Sequence, residues 1–117
     1  MNPRTAIVEQ VVDRFGERLT AAPRLAHDAV TLEFDGGLTV QARFSGNDEY
    51  SIEWQRGARQ FRIDTAPLHR GLASFPNHFH DADGGVHAER LTQPGAAPWD
   101  NLRAVLEMIL AGRDRPG

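Results

Sequence analysis

The chain contains no cysteine, which excludes a disulfide framework, a thiolate nucleophile and cysteine-ligated zinc, and leaves only nitrogen and oxygen side chains to bind a metal. It contains no lysine either, so all 13 cationic side chains are arginine. Arginine's planar fork grips phosphate or carboxylate through two bonds, a bias that suits a polyanionic or acidic partner, although a GC-rich coding sequence produces the same replacement. The net charge of −3 argues against indiscriminate nucleic-acid binding and still allows a local basic patch. No apolar run approaches the roughly 18 residues of a membrane span, and Met1-Asn2-Pro3-Arg4-Thr5 has no signal-peptide core, so a cytoplasmic protein with no membrane contact is expected. A Walker loop, a GxGxxG opening a helix and a nucleophile elbow are also missing, which leaves nucleotide-cofactor and hydrolase-triad chemistry with nothing to rest on, and no cofactor is expected.

What is present is globular composition: 117 residues, 40% apolar and 25% charged, the size of one domain over residues 1–117. Ile7, Val8, Val11, Val12, Phe15 and Leu19 recur at helical spacing from Pro3 onward, with Asn2 as the expected cap. The period then changes from 3.6 to 2. Val30, Leu32 and Phe34 alternate with polar residues, as do Leu38, Val40, Ala42 and Phe44 after the Gly36-Gly37 turn. Tyr50, Ile52 and Trp54 follow, then Phe61 and Ile63. Trp99, Leu102, Val105, Leu106 and Ile109 form a second amphipathic helix closed by Gly112, and the tail after it reads as frayed.

The expected architecture is therefore α+β: a single four-stranded antiparallel meander with N- and C-terminal helices packed on its apolar face. Residues 1–28 would hold the first helix and a linker, 29–65 the sheet, 66–97 a histidine-containing loop and 98–112 the second helix. Open sheet edges of this kind also make a homodimer conceivable.

Chemistry is expected between Asp64 and His80, where three of the five histidines and a carboxylate share a turn-rich stretch. His78 and His80 are two apart, so an extended backbone points both rings to one side. With His69 they offer acid and base for phosphodiester cleavage, Asp64 can orient a ring, and Arg62 or Arg70 can stabilise charge on a phosphorane. Two other uses of these residues stay open: a metal site from His69, His78 and His80, with Asp81, Asp83 or His87 as further ligands, or a loop merely shaped by histidine in a non-enzymatic interaction module. Asp64 could equally just open the turn, His27 is expected to be solvated, and Phe75 and Phe79 are expected as core anchors, with base stacking as the alternative.

The runs Tyr50-Ser51-Ile52-Glu53-Trp54, Phe61-Arg62-Ile63-Asp64, Ala66-Pro67-x-His69 and Phe75-Pro76-x-His78-x-His80 resemble the TumE family of toxin–antitoxin toxins, from about residue 49 through the C-terminal helix. The resemblance implies a small cytoplasmic toxin neutralised by a cognate helix-turn-helix antitoxin and arresting growth by RNA cleavage or by blocking translation at the ribosome. Asp64, His69, His78 and His80 fall on the family's polar positions, and Arg62 on one that is commonly basic. The chain departs from the family pattern at Leu68, Asn77 and Phe79, where Pro-His-His and Phe-Pro-His-His-Lys-His would be expected. Loss of those basic groups removes proton donors and positive charge, so a weakened or divergent toxin is implied.

Overall fold

The computed structural model describes residues 3–117; the cap expected at Asn2 lies outside the described residues. Helix α1 spans Pro3–Phe15 and buries Ile7 and Val11, with Val8 and Phe15 partly covered. It stops earlier than the apolar spacing indicates. Gly16, a poor helix former, opens a 3₁₀ turn to Arg18, and Leu19 instead bridges to Phe34.

The four expected strands are present as β2 (Ala29–Phe34), β3 (Leu38–Ser45), β4 (Glu49–Arg56) and β5 (Arg59–Asp64), and Gly36 and Gly37 adopt the positive φ that the first hairpin requires. The sheet itself, however, has seven strands rather than four. A three-residue β1 (Arg24–Ala26) precedes the predicted set, and β6 (His78–His80) and β7 (Val86–His87) extend it on the other side in the order β1-β2-β3-β4-β5-β6-β7. All six pairings are antiparallel. The additional strands are two or three residues long, too short to display a period, and β6 follows Pro76 and Asn77 with histidines where β-branched residues would announce a strand.

Sheet register decides which face each side chain takes. Ile52, Ile63 and Phe79 stand side by side on the apolar face, where Trp54, Phe61 and Phe79 stack with centroids 5.6, 6.0 and 6.2 Å apart. Helix α2 (Pro98–Leu110) packs Leu102, Val105, Leu106 and Ile109 into the same core as α1, so both helices cover one face. Each large side chain removed from water there contributes roughly 1.5–3 kcal/mol. The tail after α2 is tied down rather than frayed: Asp114 accepts from the Trp54 indole at 3.3 Å and pairs with the Arg56 guanidinium at 3.0 Å.

Candidate functional site

On the opposite, polar face the register sets two rows of side chains across the sheet: Arg43, Ser51, Asp64 and His78 in one, Gln41, Glu53, Arg62 and His80 in the next. The pairing of β6 with β5 therefore places Asp64 beside His78 and Arg62 beside His80. Beyond Asp64 the chain turns out over the end of the sheet, its exit held by Thr65, whose hydroxyl accepts from the Tyr50 amide at 3.0 Å. The loop then returns to β6 and lays His69 against both histidines, with ring centroids 4.7 Å from His78 and 6.0 Å from His80. The His78 and His80 rings are themselves 4.7 Å apart.

Asp64 is the hub. It is buried, and its Oδ1 accepts the Ala66 amide at 3.0 Å, so it does open the turn. The same oxygen lies 3.0 Å from His78 Nε2, while Oδ2 accepts from Arg62 Nε at 2.7 Å and lies 3.3 Å from His80 Nε2. One carboxylate thus contacts the turn, the guanidinium and both rings.

His78 is 1% exposed, with Nδ1 3.0 Å from the Pro76 carbonyl. A carbonyl only accepts, so Nδ1 carries hydrogen. Nε2 then faces the Asp64 carboxylate. His80 differs. Its pKa lies below the ordinary 6.5, chiefly because burial penalises the charged ring and secondly because the Arg62 guanidinium, 3.3 Å away, repels a proton. A guanidinium only donates, so in the neutral ring the Nε2 lone pair faces Arg62 within a part-open site.

Arg70 is not in the site: it is exposed, its guanidinium 5.8 Å from the Phe75 ring centre. Phe79 is a core anchor as expected, whereas Phe75 is 39% exposed. Asp81 and His87 bind each other at 2.6 Å, and Asp83 pairs with Arg59, so none of these joins the three histidines. His27 is exposed.

Two of the three departures from the family pattern face away from the site. Phe79 points into the core, and the Asn77 amide donates to Glu89 Oε1 at 2.5 Å, inside a buried network in which Thr92 also donates to Glu89 and accepts from the Tyr50 hydroxyl at 2.7 Å. Leu68 is 76% exposed. The Glu89 network, which no spacing in the sequence announces, anchors the strand that carries His78.

A cleft of about 740 Å³ opens beside Arg62 and Asp64 and is lined also by Arg43, Ser51, Phe44 and Tyr50, with Ala66, Pro67 and Pro76 from the loop that carries His69; no histidine lines it. A family model described as Toxin TumE matches residues 6–112. No curated protein and no solved structure gives a significant match. No helix among the described residues is long and apolar enough to cross a membrane.

Proposed function

The chain belongs to the TumE toxin family, which implies an antitoxin partner, and from that premise we propose that it arrests growth by cleaving RNA at the histidine site. One observation carries the reading: a neutral, part-exposed imidazole, His80, sits beside a fixed guanidinium and a second accessible imidazole, His69, on a face with an adjoining cleft. When the substrate phosphate draws the Arg62 guanidinium off Nε2, neutral His80 takes the proton from a ribose 2′-hydroxyl, and the resulting oxygen attacks the adjacent phosphorus. His69, on the loop above, protonates the departing 5′-oxygen. Each transfer contributes typically about 10²–10⁴-fold. Arg62 offsets charge on the phosphorane oxygens. His78 is too buried to touch substrate, so it and Asp64 are positioning residues that hold Arg62 and His80 in place. Phe75, exposed beside Arg70, offers a base-stacking surface on the loop that carries His69.

Expression of the His69→Ala/His80→Ala double variant in growing cells tests this. Growth arrest should vanish while capture by the co-expressed antitoxin persists, the second readout showing that the fold is intact. Arrest that survives the double change would defeat the reading and leave a non-enzymatic interaction with the translation machinery.

A further inference from the structure

From the donor arrangement on this face we infer that His69, His78 and His80 together form a binding site for a divalent transition-metal ion of the zinc, cobalt and nickel class. One ligand nitrogen from each ring lies within 4.8 Å of those of the other two. Nitrogen ligands on zinc stand at about 2.0–2.1 Å, which puts neighbouring ligands of a tetrahedral ion roughly 3.3 Å apart, so the nitrogens need to close by at most about 1.5 Å. His69 and His80 are both partly exposed; His69, on the loop, supplies most of that adjustment, and His80 Nε2 turns from Arg62 toward the ion.

His78 needs none. Its Nδ1 hydrogen is committed to the Pro76 carbonyl at 3.0 Å, which fixes the tautomer and leaves Nε2 as the donor to a metal. This is the orientation that second-shell carbonyls impose on metal-bound histidines. Asp64 stands behind the rings, its Oδ1 3.0 Å from His78 Nε2 and its Oδ2 3.3 Å from His80 Nε2, where a carboxylate steadies bound imidazoles by charge. Three imidazoles select zinc, cobalt, nickel or copper over magnesium and calcium, which prefer all-oxygen sites. Arg62 works against the ion by charge repulsion, so binding is reversible rather than permanent.

The consequence for activity rests on the proton-transfer reading above. Nitrogen lone pairs bound to a metal carry no protons, so zinc silences the site.

Metal binding itself is measured without RNA, on full-length chain freed of metal with a chelator. Cobalt(II) should give the intense visible absorption of a tetrahedral site, displaced by one zinc per chain in calorimetry. His69→Ala, an exposed-loop change that leaves the core untouched, should weaken zinc binding by at least about tenfold, as should His80→Ala, while His27→Ala leaves it unchanged. Absence of the cobalt band, or zinc binding equal in His69→Ala and the unmodified chain, overturns the inference. So does binding lost in His87→Ala but kept in His69→Ala, which would place the ion at the Asp81–His87 pair. If zinc binds as described but RNA cleavage is never seen, the metal site stands and the catalytic reading falls.

Discussion

Asp64 Oδ1 and His78 Nε2 lie 3.0 Å apart on adjacent strands, and the far side of the His78 ring is held by a backbone carbonyl. The pair ties β5 to β6 through side chains as well as through the ladder. Asp64→Ala would leave the Ala66 amide, Arg62 and a buried ring without their acceptor, a loss of about 3–5 kcal/mol. Asp64→Asn keeps an oxygen for the Ala66 amide and should lose less. Urea unfolding of the two variants checks both the size and the order.

The pH dependence of RNA cleavage should follow His80. Burial first and Arg62 second hold its pKa below 6.5, so the acid limb of the activity profile, where His80 protonates, should lie below pH 6.5. Arg62→Gln removes the repulsion. It should move that acid limb to higher pH and lower kcat by about 10²–10³-fold. An acid limb unmoved by the substitution would separate Arg62 from His80.

Positions that look like lost basic residues should prove to be packing positions. Phe79→Ala is expected to cost about 3–5 kcal/mol, and Phe79→Lys to prevent folding by burying an unpaired charge. Asn77→Ala should cost about 1–3 kcal/mol by removing a donor to buried Glu89. Leu68→His, on an exposed loop, should change stability by no more than about 0.5 kcal/mol. Thermal and denaturant unfolding report all four.

A second pH effect belongs to Asp81, held at about 2 by the hydrogen bond from His87 and the Gly85 amide. A carboxylate with a depressed folded pKa stabilises fully above its unfolded value, here 3.8, and that contribution disappears as pH falls through about 2. Asp81→Asn should therefore be less stable near neutrality and show a shallower loss of stability between those two values. Gly85→Ala should act similarly, because an added Cβ would meet both Asp81 and His87. Acid titration followed by circular dichroism is the measurement.

Long, strongly periodic segments were legible in the sequence: the helix stripes through Val11 and Val105, and the alternation from Val30 to Ile63. The short strands were not, because Arg24–Ala26, His78–His80 and Val86–His87 acquire strand geometry only by pairing with longer neighbours. For the site, the two-residue spacing of His78 and His80 and the turn after Asp64 were readable, and both rows of the polar face follow from them once register is known. Register was the missing quantity. It alone puts Arg62 beside His80 and turns Phe79 into the core, and it depends on tertiary pairing that local spacing does not encode. The Asn77–Glu89–Thr92 network was hidden for the same reason, since its members are up to 15 residues apart and joined only by the folded loop.

The ends of the RNA in cells expressing the chain test the account most directly. Transfer of a proton from a 2′-hydroxyl to His80 must leave 2′,3′-cyclic phosphates upstream and 5′-hydroxyls downstream of each cut. Such fragments should accumulate with the unmodified chain and disappear with His80→Ala at equal antitoxin-binding capacity. Growth arrest without cyclic-phosphate ends, or fragments of the same kind and amount from His80→Ala, would contradict it.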